Sequence, residues 1–187
     1  KTRPSPKLYS MNMKNCRNII LAAAVLAAAS SCSDKVQIKG TIAGAPDTQV
    51  VVKQLNGGAL VALDTVKTDG KGAYSYSVEV LKGQPQFIYL YKGDTKVASL
   101  LLQKGDKVKV ASDTLGKYSV EGSAESELLR QVEEDFAAFL DKFTADAARG
   151  DNAAASKDYI DYYRGRVKFI MENAKSLTAI PVLYQKI

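Results

Sequence analysis

The chain has 187 residues, of which 46% are hydrophobic and 25% charged, so it is long and apolar enough for one globular domain or two small ones, and it is not a disordered tail. It contains no histidine, which excludes Ser-His or Cys-His nucleophilic pairs, histidine-ligated zinc and imidazole acid-base catalysis. We therefore assign no catalytic residue, no metal ligand and no cofactor to the chain.

The formal net charge of +6 comes from the amino-terminal segment. Residues 1–31 contain five basic residues and no acidic residue: Lys1, Arg3, Lys7, Lys14 and Arg17. Removing these five from 26 leaves 21 basic residues against 20 acidic ones. This balance argues against a nucleic-acid partner, because nucleic-acid binding depends on many cations along the phosphate backbone.

We interpret Lys104, Lys107 and Lys109 as guards on edge strands.

Residues 1–31 have the organisation of a signal peptide with an upstream extension. Lys14 and Arg17 form a positive region, residues 19–29 are apolar, and small residues follow. The apolar core is shorter than the about 20 residues that cross a bilayer, so a secretory signal is favoured over a transmembrane helix. A buried amino-terminal helix is the alternative.

The segment Ala29-Ser30-Ser31-Cys32 resembles the lipobox of bacterial lipoproteins, with alanine where leucine is commonest. The resemblance implies cleavage after Ser31 and lipid attachment at Cys32, with residues 32–35 as anchor and short linker. Several acyl chains together give durable membrane anchoring. The predicted location is the bacterial cell envelope, with the chain facing the periplasm or the outside. An ordinary signal peptide with an incidental cysteine is the alternative.

Residues 36–122 predict a β domain. Short alternating runs are separated by turn signals such as Asn56-Gly57-Gly58 and Asp69-Gly70, and the run 74–80 places one side chain in two on the same face. About eight such strands predict an antiparallel β-sandwich or barrel. We interpret Asp64 and Asp69 as turn residues, because lysines interrupt any calcium-loop spacing.

Residues 123–187 predict a helical connector. Ser123 is a suitable helix cap, and the residues 149–152 separate two helices. The first helix has apolar residues at helical spacing: Leu128, Val132, Phe136, Phe139, Leu140 and Phe143. The second has an apolar stripe: Tyr159, Ile160, Tyr163, Val167, Ile170 and Ala174. A third apolar segment begins near Leu177. We interpret the consecutive carboxylates Glu133, Glu134 and Asp135 as an exposed helix face.

The segments "VQIKGTIAG", "LVALDTVKTDGKGAYSYSVEV" and "YSVEGSAESELLRQVEEDF" resemble the amino-terminal module of Bacteroidetes envelope lipoproteins. In that family an all-β domain of unknown function and a helical segment precede a thioredoxin-like domain of the thiol-disulfide oxidoreductase and peroxiredoxin-like type. The closing "SLTAIPVLYQ" resembles the stretch that leads into that domain. The family's Trp-Cys-x-x-Cys motif has no counterpart here, because the chain has no tryptophan and no cysteine after Cys32.

The resemblance implies a non-catalytic anchoring and recognition module, truncated before a thioredoxin-like domain that is its partner. The alternative is a stand-alone surface lipoprotein whose β-sandwich binds a glycan or a protein ligand. Tyr74, Tyr76, Tyr89 and Tyr91 are the candidate binding platform, since aromatic faces bind rings. Strand core and rim are the competing role for these tyrosines.

Overall fold

In the computed structural model, which describes residues 34–184, the alternating segments form eight β-strands and the later segments form three helices. The strands are β1 (Lys35–Ile42), β2 (Gln49–Asn56), β3 (Ala59–Lys67), β4 (Ala73–Glu79), β5 (Gln86–Lys92), β6 (Thr95–Leu102), β7 (Lys107–Ser112) and β8 (Tyr118–Glu121). The helices are α1 (Ala124–Ala148), α2 (Asn152–Glu172) and α3 (Ala179–Tyr184).

The strands form two four-stranded sheets. The first sheet has the order β4-β1-β7-β8 and the second has the order β3-β2-β5-β6. All neighbours are antiparallel except β1 and β7, which are parallel. The predicted fold class is confirmed as a β-sandwich followed by a helical hairpin, and the two sheets do not close into a barrel.

The hydrophobic core lies between the two sheets. In β1 every second side chain is buried, which places Val36, Ile38 and Ile42 inside. Ile88 and Leu90 of β5 enter the same core from the second sheet. Fully burying one such side chain stabilises the fold by about 1.5–3 kcal/mol, so this alternation determines which face of each strand points inward.

The helices begin at polar caps. The Ser123 hydroxyl accepts a hydrogen bond from the Ser126 N–H, and the Asp151 carboxylate accepts one from the Ala154 N–H. Helix α2 packs against α1 through aromatic rings, and the Phe139 and Tyr162 rings stack with centroids 4.4 Å apart. No helix within residues 34–184 has both the length and the apolar character needed to span a membrane.

Helix α1 covers β6, which is an edge strand of the second sheet. The Leu101 N–H donates to the Ser126 Oγ at 3.0 Å, and the Leu101 carbonyl oxygen lies 3.1 Å from the same hydroxyl. The helix therefore satisfies backbone groups that an edge strand would otherwise leave open. The residues from Asp34 onward form one compact unit.

The interpretation of Lys107 and Lys109 as edge-strand guards is wrong. Strand β7 pairs with β1 on one side and with β8 on the other, so it is an inner strand. Lys104 lies in the turn before β7 and forms an ion pair with Asp34. The parallel pairing of β1 with β7 joins segments that are far apart in the chain, and alternation alone does not specify it.

Candidate functional site

The four candidate tyrosines point to different sides of the sandwich. Tyr74 is 6% exposed, and a Cβ added at Gly40 would lie 2.1 Å from its ring. Burial raises the pKa of the Tyr74 hydroxyl. Tyr76 packs against the core. These two tyrosines are therefore structural, as the competing interpretation proposed.

Tyr89 and Tyr91 lie on the outer face of the second sheet, because Ile88 and Leu90 occupy the inward positions of β5. Both rings are half-buried. The Lys53 Nζ lies 4.2 Å from the Tyr91 ring centroid, and the Lys96 Nζ lies 6.0 Å from that of Tyr89. We call Lys53, Tyr89, Tyr91 and Lys96 the tyrosine face. It combines aromatic planes with cations, a chemistry suited to sugar rings or peptide groups.

Glu133 of α1 positions the edge of the tyrosine face. Its Oε1 accepts hydrogen bonds from the Lys96 Nζ at 2.7 Å and from the Ser99 Oγ at 2.8 Å. Its Oε2 accepts one from the Tyr118 hydroxyl at 3.2 Å. Because Ser99 is fully buried, this carboxylate attaches α1 to β6 and holds the Lys96 ammonium in place.

The phenols near Glu133 remain protonated at neutral pH. Burial, and after it the Glu133 charge, raise the pKa of Tyr89. The same two causes, in the same order, raise the pKa of Tyr118. These hydroxyls can donate hydrogen bonds but do not supply a phenolate nucleophile or base. Within residues 34–184, no group of three or more Cys, Asp or Glu side chains is placed to hold a metal ion.

An open groove of about 640 Å³ adjoins Glu133, between the β7–β8 turn and α1. Its lining combines charged side chains with two apolar ones, Leu115 and Ala137, and includes Lys96, Lys117, Tyr118, Arg130 and Glu133. Leu115 is 87% exposed at the rim. The groove therefore lies beside the tyrosine face, and most of its lining residues are polar or charged.

The predicted carboxylate face of α1 divides in the structure. Glu134 and Asp135 are exposed, as predicted, whereas Glu133 turns toward the sandwich. Sequence reasoning missed Glu133 because Lys96 and Ser99 precede it by 37 and 34 positions. Asp69 accepts hydrogen bonds from the N–H groups of Lys71 and Ala73 at 2.8 and 2.9 Å, so it closes its own turn as expected. The interpretation of Asp64 as a turn residue is wrong, because Asp64 lies within β3 and pairs with Val52 of β2.

Four residues of the predicted apolar stripe, Tyr159, Ile160, Tyr163 and Val167, lie on an outward-facing side of α2. Of the other two, Ile170 is half-buried and Ala174 lies beyond the end of the helix. Ile160, Val167 and Met171 are 48%, 56% and 75% exposed, and with Tyr159 and Tyr163 they line an open depression of about 480 Å³. We call these five residues the apolar stripe. Contact with α1 is made by the opposite side, through Tyr162. Helical periodicity could not distinguish these two faces, since both carry apolar residues.

The predicted lipid-attachment and cleavage residues, Cys32 and Ser31, lie outside the described residues, and both assignments stay predictions. A family model described as "Domain of unknown function (DUF4369)" matches residues 36–129, half of the chain. The match includes the eight strands and the whole tyrosine face. No curated protein matches the chain.

Proposed function

Because the chain belongs to the family of the domain of unknown function DUF4369, we propose that it is the non-catalytic anchoring and recognition module of a membrane-tethered, thioredoxin-like thiol-disulfide oxidoreductase. Thiol-disulfide exchange requires a cysteine thiolate. Residues 33–187 contain no cysteine, so the redox step belongs to a separate thioredoxin-like domain. The sandwich then supplies the spacer and recognition surface, and the helices supply the connector.

The observation that carries this proposal is the apolar stripe of α2. Four of its five side chains are exposed at helical spacing, and Tyr163 is half-buried. Ile180 and Leu183 of α3 are also 52% and 61% exposed. Contiguous apolar surface of this kind marks interaction sites, and domain interfaces within one chain bury such surface. We infer that the stripe packs against the thioredoxin-like domain.

The coding sequence beyond Ile187 tests the proposal directly. A Cys-x-x-Cys motif within about one hundred further residues, the scale of one domain, supports it. A stop codon immediately after Ile187 overturns it.

In a chain that includes the following domain, we expect Val167→Asp combined with Met171→Asp to raise the rate of protease cleavage at the connector at least about tenfold. The reason is that two charges would replace apolar contacts worth more than about 1.4 kcal/mol. In the 187-residue chain the same pair should change the free energy of unfolding by less than about 0.5 kcal/mol, because both residues are exposed. Ala138→Asp with Ala147→Asp, at exposed positions of α1, is the matched control. Equal cleavage rates for the two double variants would contradict the packing.

The tyrosine face favours a second candidate function, that of a stand-alone surface lipoprotein binding a glycan or protein ligand. Tyr89 and Tyr91 present two aromatic planes on one side of β5, with Lys53 over one ring. Aromatic planes bind sugar rings, and the nearby cations and hydroxyls fix orientation. This candidate is the one that survives if the coding sequence stops after Ile187.

Both candidates place a lipid anchor at Cys32, in a bacterial cell envelope. Labelling of expressing cells with radioactive palmitate is expected to mark the wild-type protein and to fail for Cys32→Ala, because the thiol is the acceptor of the lipid. Ser33→Ala serves as the control and should be labelled like the wild type. Equal labelling of the Cys32→Ala variant would refute the anchor.

A further inference from the structure

The outer face of the first sheet carries four lysines. In β1 and β7 the side chains alternate between the core and solvent, which exposes Lys35, Lys39, Lys107 and Lys109 on the same side. The two strands are parallel neighbours, so Lys39 lies beside Lys109, and Gln37 lies beside Lys107. We call these four lysines the lysine face.

The acidic residues of this face lie on its outer strands. Glu79 of β4 is opposite Lys35, and Glu121 of β8 is opposite Lys109. The remaining exposed side chains are small or neutral: Gln37, Thr41, Ser75, Ser77, Ala111 and Ser119. Among the described residues, Lys39, Lys107 and Lys109 form no ion pair. The centre of the face is therefore positively charged.

Folding does not explain this arrangement. Like charges on neighbouring strands destabilise a sheet, and Lys39 and Lys109 are in register. Neither lysine guards an edge, because β1 and β7 are the two inner strands. An anionic partner outside the chain would compensate this positive charge.

We propose that the lysine face binds the anionic phospholipid headgroups of a bilayer. A sheet face with lysines and short polar side chains is broad and matches a membrane surface, where each basic residue adds to the attraction. The described residues place no aromatic side chain among those exposed on this face, and single-stranded nucleic acids require such stacking platforms.

The lysine face and the proposed lipid anchor would act on the same membrane, although the lysine face does not depend on the anchor. Lys35 follows Cys32 by three positions, a reach of roughly 10 Å when the chain is extended. One lipid signal together with a basic patch gives firmer attachment than either alone. The anchor would hold the protein at the bilayer, and the lysine face would set its orientation.

A chain of residues 34–187 tests the proposal, since this unit contains the whole described core and lacks the signal segment and Cys32. We expect it to sediment with vesicles made of equal amounts of phosphatidylglycerol and phosphatidylcholine. It should remain in the supernatant with phosphatidylcholine alone, and added salt should weaken its binding to the anionic vesicles. Since each lysine contributes about 1 kcal/mol at an anionic surface, Lys39→Gln with Lys109→Gln should weaken binding about thirtyfold.

Lys157→Gln with Lys175→Gln is the matched control, because it removes the same charge from exposed positions in the helical segment. We expect it to bind the anionic vesicles within about twofold of the unmodified chain, because the attraction falls off within about 10 Å of the membrane surface. The Lys39→Gln and Lys109→Gln pair should change the free energy of unfolding by less than about 0.5 kcal/mol, since it removes both the Lys39–Lys109 repulsion and the attraction between Lys109 and Glu121. Three results would overturn the proposal: no binding to anionic vesicles, equal weakening in both double variants, or tighter binding to a single-stranded oligonucleotide than to vesicles.

Discussion

Replacing Glu125 by alanine is expected to release the segment before α3 from the start of α1. The Glu125 carboxylate accepts hydrogen bonds from the Ser176 Oγ at 2.6 Å, the Thr178 N–H at 2.9 Å and the Thr178 Oγ1 at 2.8 Å. It also accepts one from the Leu177 N–H at 3.2 Å. In the variant the Ser176 hydroxyl and the Leu177 N–H lose this acceptor. The fully buried Thr178 keeps only longer hydrogen bonds, from its N–H to the Ser176 Oγ and from its hydroxyl to the Glu125 carbonyl oxygen, both at 3.1 Å. We expect the free energy of opening this segment to fall by about 2–3 kcal/mol.

Hydrogen exchange at the Leu177 and Thr178 amides measures this opening, and both amides should exchange about 30 to 150 times faster in Glu125→Ala. Glu134→Gln is the control. Glu134 is half-exposed and pairs with Arg130, so its loss should change the same exchange rates by less than about threefold. Unchanged protection in Glu125→Ala would show that the carboxylate does not hold the segment.

The same carboxylate makes the segment sensitive to acid. Burial raises the pKa of Glu125, but the hydrogen bonds from Ser176, Thr178 and Leu177 together outweigh burial and hold the pKa below its ordinary value. A lowered folded-state pKa gives a stabilisation that is complete above the unfolded-state pKa of about 4.3 and is lost as pH falls through the folded-state value. The stability difference between the wild type and Glu125→Gln should therefore stay constant from neutral pH down to about pH 5 and shrink below it. A difference that stays constant with pH would contradict this linkage.

Local patterns were sufficient to predict the strands and the start of the helices. In β1 the apolar positions that alternate in the sequence are the buried positions in the structure, and the Ser123 cap occupies the predicted position. These features depend on neighbouring residues only, which is why the sequence contains them. The partner of each strand depends on the whole chain, and so the parallel β1–β7 pairing and the lysine face were not predicted.

Only part of the candidate site was predicted, because the contacts of its side chains also depend on how the whole chain folds. The tyrosines of β4 and β5 both alternate with other residues, and alternation alone does not say which set points inward; the polarity of the competing residues decides it. Ile88 and Leu90 are more apolar than Tyr89 and Tyr91, so they occupy the core and turn the tyrosines outward. In β4 the competing positions are Ser75 and Ser77, which leaves the tyrosines of that strand facing the core. Glu133 was not predicted as a site residue, because it belongs to the site only through its tertiary hydrogen bonds with Lys96 and Ser99.

Gly122 joins the sandwich to α1, and its replacement by alanine is expected to lower the free energy of unfolding by about 2–5 kcal/mol. Its φ of +81° is a conformation that L residues adopt at a cost of about 1–2 kcal/mol. A Cβ at this position would also lie 1.9 Å from the Lys107 carbonyl oxygen and 2.9 Å from its carbon. Because these are backbone atoms of β7, relief requires moving a strand, which costs about 1–3 kcal/mol more.

Gly150→Ala separates the two costs. Gly150 has a φ of +75°, and no atom lies within 4 Å of the Cβ that alanine would add. Gly150→Ala should therefore lower the free energy of unfolding, measured with urea, only by the cost of the positive φ, about 1–2 kcal/mol. Gly122→Ala should lower it by roughly twice as much, or the variant should fail to fold. Equal decreases in the free energy of unfolding for the two variants would mean that β7 can move at Lys107 at little cost. A larger loss at Gly122 would instead mean that this contact fixes where α1 starts, and with it the position of Glu133 over β6 and of Lys96 on the tyrosine face.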